Sequence, residues 1–271
     1  MRASGGHLKD RQADQLLKDE PADQDESAKR MKAKVEPAVT GFHHVIPVGK
    51  TWYVLDLSKG YHPESISLDP PSIGRYNEKR TNMYTTGLFG GVRNIHMGLD
   101  IWVPEGTPVR AFSDCRVLFF RDNDNPGDYG PTIITEHKIG SKYAIYTHYA
   151  HYAQGAGRTN RDDRADRADI SASGKGTDSG QSEEITLYAL YGHLSRASLD
   201  NVTEGKPLSK GQIFAEVGGP QVNGGWVPHL HFQLSWERPA EPDMPGVVAE
   251  EDHLRALQIY PDPRLVLGNL Y

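Results

Sequence analysis

Residues 99–137 read LDIWVPEGTPVRAFSDCRVLFFRDNDNPGDYGPTIITEH, and this stretch decides the fold class. LDIWV (99–103), VRAF (109–112), RVLFF (116–120) and TIITEH (132–137) are short runs rich in β-branched and aromatic side chains. Between them lie PEGTP (104–108) and NDNPGDYGP (123–131), which carry the Gly, Pro, Asn and Asp of tight turns. Strands of about five residues punctuated in this way predict an all-β protein, a barrel or a sandwich. The same texture returns in ITLYALYGHL (185–194), QIFAEVGG (212–219) and HLHFQLSWE (229–237).

Working outward, the chain divides into four parts. Residues 1–36 mix charges with almost no large apolar side chains, so they predict a disordered tail, with a short helix near Ala13–Lys18 as the only structural alternative. Residues 37–90 predict an accessory β and loop segment: HHVIPV and TWYVLDL read as strands, and 61–90 as an irregular loop packed on a sheet. Residues 91–238 form the main domain, interrupted at about 138–185 by GAGRTNRDDRADRADISASGKGTDSGQSEE, a flexible charged insertion. The segment KYAIYTHYAHYAQ before it and LYALYGHLSRA after it predict two aromatic strands flanking that insertion. Residues 239–271 predict an extension packed on the domain, with one or two helical turns at EEDHLRALQI and a strand or extended segment at RLVLGNLY.

Bulk composition sets limits. Net charge is −6, so a nucleic-acid binder working through a basic surface is not expected. No apolar run approaches the ~20 residues of a membrane span. The N-terminal stretch has no apolar core of a secretory signal, which places the protein in the cytoplasm by default unless another route exports it. Cys115 is the sole cysteine, so neither an intramolecular disulfide nor a thiolate-rich metal site is available. The 12 histidines carry more information. In a strand, His229, His231 and Gln233 share one face and Leu230, Phe232 and Leu234 the other. Two imidazoles on one face can ligate a metal, serve a bound water, or be ordinary surface histidines. In HMGLD (96–100), Gly98 and the following IWVP favour loop and strand over helix, with Leu99, Ile101 and Val103 turned inward. Asp100 on that strand needs a partner if buried; a metal or a turn network would supply one. His193 closes the aromatic strand YGHLS, where a lone histidine is usually structural. Together these pieces supply His, Asp and His ligands and leave two histidines over. Three N and O donors with a fourth position open suit a catalytic zinc rather than a structural one.

Five motifs in order resemble the LytM/lysostaphin-type zinc metallopeptidases, peptidase family M23: HMGLD (96–100), GTPVRA (106–111), YGHLS (191–195), KGQIFAEVGG (210–219) and PHLHFQL (228–234). The resemblance covers roughly residues 90–236 without the insertion. It implies an antiparallel β barrel-sandwich of the duplicated-hybrid-motif type. It also implies one Zn2+ per chain on His96, Asp100 and His231, with catalytic roles for His193 and His229. The implied activity is hydrolysis of amide bonds in peptidoglycan cross-bridges or glycine-rich peptides by a zinc-activated water. His137, at a strand end where the family often has histidine, is expected to be structural. Gly218, Gly219, Gly224 and Gly225 either keep the groove open or simply make turns. Three features depart from the family: Cys115 at a position often occupied by glycine, the long insertion, and the missing export signal. The alternatives are a non-catalytic binding or regulatory module of the same family, a histidine-phosphorylated carrier domain, and a non-haem iron oxygenase. The sequence leaves the oligomeric state open.

Overall fold

A computed structural model describes residues 41–47, 49, 51–140 and 184–271, with residues 31–34 as backbone. The expected helix at Ala13–Lys18, the rest of the tail and residues 141–183 of the insertion, with the aromatic segment before it, lie outside the described residues. Strands β1 (Met31–Lys34), β2 (Thr51–Val54), β3 (Ser72–Gly74) and β4 (Glu78–Lys79) precede the HMGLD motif. Then come β5 (Ile95–His96), β6 (Leu99–Trp102), β7 (Pro108–Arg110), β8 (Cys115–Asn123) and β9 (Gly130–Gly140). After the insertion follow β10 (Glu184–Gly192), β11 (Pro207–Leu208), β12 (Ile213–Glu216), β13 (His229–Ser235) and β14 (Val247–Val248). Nine of these form one sheet in the order β1-β2-β3-β6-β13-β10-β9-β8-β11, while β12 pairs with β7 and β14-β5-β4 make a third sheet. Among the described strands only β2 and β3 pair in parallel. With three short α-helices, at Arg196–Asp200, His253–Ile259 and Arg264–Leu267, the described residues are mainly β.

The apolar half of each alternating strand explains the core. Leu99 and Ile101 of β6, Leu187, Ala189 and Tyr191 of β10, and Leu230, Phe232 and Leu234 of β13 join one buried cluster. Val109 of β7, Phe214 and Ala215 of β12, and Val266 and Leu270 near the C-terminus belong to the same cluster. Burying side chains of this size contributes roughly 1.5–3 kcal/mol each, so a charge at Phe232 would dissolve the centre of the sheet. The polar half of β13 points the other way, and there the site lies.

Four expectations change. Met31–Lys34, assigned to the tail, pairs with β2 along the sheet edge; its backbone finds ladder partners, and a lysine-bearing MKAK suits an edge strand. The described residues 43–47 of HHVIPV form no strand, because a bend sends the adjacent Val45 and Ile46 both into the core, at 1% exposure each. The loop expected at 61–90 contains β3, which lies directly beside β6 in the main sheet. RLVL is helical rather than extended: Asp262 accepts from the Arg264 backbone N–H at 2.9 Å and Pro263 sets the helical φ at its start.

Candidate metal centre

Strand register brings distant residues together. In the antiparallel pair of β6 and β13, His231 stands opposite Asp100 and His229 opposite Trp102. On the other flank of β13, Gly192 of β10 faces His231, so the chain leaving β10 carries His193 to the same place. A slip of one residue in either pairing would send the histidines into the apolar core. His96 arrives on β5, from the three-stranded sheet, paired with Glu78 of β4 and Val247 of β14. Gly98 lets the HMGLD backbone approach: a Cβ there would lie 2.4 Å from the His231 ring.

The three residues named as ligands converge. His96 Nε2, His231 Nδ1 and Asp100 Oδ1 are separated by 3.1, 3.0 and 3.3 Å. All three residues are buried. Their remaining atoms are held from behind. A carbonyl can only accept, so His96 Nδ1–H donates to Arg75 O at 3.0 Å and Nε2 is left bare. His231 Nε2 donates to Gln233 Oε1 at 3.1 Å, while the Gln233 amide N donates to Pro245 O and fixes which way Oε1 points. That leaves His231 Nδ1 bare as well. Asp100 Oδ2 accepts from Arg80 Nη1 at 2.6 Å. Burial alone would raise the Asp100 carboxyl, but His96, Arg80 and the imidazole hydrogen bonds outweigh it and hold the group well below the usual carboxylate range. Burial, aided by Arg80, pushes His96 down to about 4. Two bare imidazole nitrogens and a carboxylate oxygen this close repel one another unless a cation lies among them. Ligand atoms about 2.0 Å from zinc in a tetrahedron stand roughly 3.3 Å apart, close to the spacing observed. The donor set therefore fits a divalent ion.

His229 and His193 sit beside this triad with their rings 4.1 Å apart, centroid to centroid. His229 Nδ1 donates to Val227 O at 2.8 Å, and its bare Nε2 lies 3.8 Å from Asp100 Oδ1. Its ring stacks on Trp102 at 5.3 Å. His193, held at φ 61, donates from Nδ1 to Asn223 O at 3.0 Å and likewise leaves Nε2 bare. Burial lowers the pKa of both, and for His193 the neighbouring His229 and His231 add to it. All five site residues border one open cavity, walled also by Tyr84, Phe89, Tyr129, Trp226 and Met244.

His137 is elsewhere. Both its ring nitrogens engage hydroxyls, Ser113 Oγ and Thr135 Oγ1, each at 2.7 Å, and the ring stacks on Phe112. Gly218, Gly219, Gly224 and Gly225 do not border the cavity. Gly224, at φ 82, packs where a Cβ would be 2.1 Å from Asp128 O, so close backbone packing accounts for it. Sequence reading passed over Arg80 and Tyr129. Tyr129 Oη lies 3.4 Å from His231 Nε2 and donates to Met244 O at 3.1 Å. Both residues come from turn-rich stretches with no periodic pattern to mark them.

No family model matches the chain, and no curated protein does. Among solved structures, it is similar to a zinc-containing peptidase from Vibrio cholerae at 17% identity and a TM-score of 0.31, over 76% of this chain and 37% of that one. It is similar to the catalytic domain of the antimicrobial peptidase lysostaphin from Staphylococcus simulans at 16% identity and a TM-score of 0.35, over 69% of this chain and 95% of that one. For Csd3 from Helicobacter pylori the figures are 19% and 0.32, over 76% and 43%. The chain thus spans less than half of the Vibrio and Helicobacter proteins. Likenesses of this size leave function to the chemistry of the site.

Proposed function

We propose that the chain is a zinc-dependent endopeptidase, with one Zn2+ per chain on His96, Asp100 and His231. Its substrates would be amide bonds in peptidoglycan cross-bridges or glycine-rich peptides. The observation that carries this reading is the triad of bare donors at 3.0–3.3 Å, each oriented by a second contact. When bound, zinc supplies Lewis acidity and brings the pKa of a coordinated water from 15.7 toward about 7. The chain does the rest. His229 Nε2 is bare and its lowered pKa keeps it neutral near pH 7, so it takes a proton from the attacking water and passes it to the leaving amine. Stacking on Trp102 and the bond to Val227 O aim that nitrogen. His193, in the tautomer its bond to Asn223 O selects, presents an acceptor and orients the water. The aromatic wall of the cavity gives a peptide a surface to lie on.

The test is digestion of purified peptidoglycan and of pentaglycine, with mass analysis of the products alongside metal analysis of the protein. Fragments are expected in buffer, none with chelator, and fragments again after added zinc. A chain that carries stoichiometric zinc but cuts neither substrate would overturn the substrate; a chain without zinc would overturn the reading as a whole.

A further inference from the structure

Arg80 has a side-chain exposure of 0% and lies directly behind the metal centre. Its Nη1 donates to Asp100 Oδ2 at 2.6 Å and to Tyr84 Oη at 2.8 Å. Its Nε donates to Glu78 Oε2 at 3.3 Å, and Nη2 to the Arg75 carbonyl at 3.4 Å. That carbonyl is the one that also receives His96 Nδ1–H. One guanidinium therefore backs two of the three donors, Asp100 directly and His96 through a shared acceptor. The fold makes room for it: a Cβ on Gly74 would lie 2.7 Å from Arg80 Nη2. The ion network extends further, since Arg75 takes the other Glu78 oxygen at 2.6 Å and Asp56 Oδ1 at 3.0 Å, so that two guanidiniums meet three carboxylates. Stability alone does not demand such a cluster, because apolar side chains of the same volume often serve equally well in its place.

We propose that Arg80 is a positioning residue of the metal centre, occupying the outer oxygen of Asp100 so that the carboxylate offers the ion Oδ1 alone. This rests on the zinc reading above. A carboxylate free at both oxygens binds a divalent ion through either one or two of them. With two, the protein would supply four donor atoms instead of three and fill the position that water and the scissile carbonyl need. Arg80 blocks that by holding Oδ2 in a charge-assisted bond, and its contact with the Arg75 carbonyl keeps the acceptor that turns His96 Nε2 inward.

The test uses the full chain with Arg80→Met, Arg80→Lys, Asp100→Asn and the double variant Arg80→Met with Asp100→Asn. Zinc affinity is read by competition with a chromogenic chelator, and coordination by the visible absorption of the cobalt(II)-loaded protein. Arg80→Met is expected to lose about 10–100-fold in zinc affinity and to change the cobalt spectrum. Arg80→Lys recovers part of both, because an ammonium reaches Oδ2 without spanning to the carbonyl. In the Asp100→Asn background the same Arg80→Met change costs much less, because its route passes through the carboxylate. A zinc-binding wild type with unchanged affinity and spectrum in Arg80→Met overturns the role of Arg80 and leaves the zinc reading standing. Equal losses in both backgrounds also overturn it, since they report packing. If Arg80→Met does not fold, a folded Arg80→Lys with wild-type affinity and spectrum overturns it. A wild type that takes up neither zinc nor cobalt removes both readings.

Discussion

Two buried histidines on the same β framework, His137 and His231, have opposite wiring. Both are nearly sealed from solvent, at 0% and 3% exposure. His137 spends both ring nitrogens on hydroxyls and its ring on Phe112, so no lone pair is left over. His231 spends one nitrogen on Gln233 and turns the other toward Asp100 and His96. Burial is the leading cause that pushes His137 down to about 3 and His96 down to about 4. Burial and a low pKa thus do not mark a ligand. What marks it is a bare donor aimed at other bare donors, with the opposite edge of the ring tied down.

The contrast breaks most visibly at His231. His231→Ala is expected to abolish stoichiometric zinc, and with it all hydrolysis, as read by metal analysis of purified protein. Full zinc content in that variant would place the ion elsewhere. The next largest effect falls on the two histidines that flank the triad without completing it. His193→Ala and His229→Ala should each keep zinc and lower turnover by about 10²–10⁴, the usual range for a lost acid–base group. Wild-type turnover in either would remove its role.

Gly98→Ala sharpens the comparison without touching a donor. The added methyl would lie 2.4 Å from His231 Cε1 and Nε2, the edge of the ring that Gln233 holds. The ring must tilt, and Nδ1 tilts with it. Zinc affinity is expected to fall about tenfold, the low end for disturbing an orienting contact, with about 1–3 kcal/mol lost to overpacking. Unchanged affinity in a titration against a competing chelator would show that ring orientation is not set from this side.

How much of this was legible in the residues follows the same division between faces and partners. HLHFQL announces its own strand, and Leu230, Phe232 and Leu234 do line the core while His229, His231 and Gln233 do not. Asp100 was readable as a polar residue on an apolar strand. That His231 faces Asp100 across a ladder was not, because register between strands separated by more than a hundred residues depends on everything packed between them. Arg80 was invisible for a related reason. Arg75, Glu78 and Arg80 follow no helical or strand period, and they meet only because β3 joins the main sheet while β4 pairs with β5. RLVL misled because three apolar residues are too few to show a period, so the Asp262 and Pro263 before them decide.

The smallest effect is the one that isolates wiring from burial. His137→Phe keeps a ring against Phe112 but leaves the hydroxyls of Ser113 and Thr135 without their strongest partner. Zinc content and turnover should not change, while unfolding free energy at neutral pH drops by about 1–3 kcal/mol, the usual cost of stranding buried polar groups. The pH dependence carries a second signature. Unfolded, His137 binds a proton near its ordinary value of 6.5; folded, burial delays that to about 3. Between those values the unfolded chain holds the extra proton, so the stability this residue contributes is complete above 6.5 and drains away as pH falls toward 3. Without an imidazole at position 137, denaturant titrations of the metal-free protein should lose stability less steeply across that window than the wild type does. An identical slope would mean that the neutral ring of His137 is not what acid attacks first in this core.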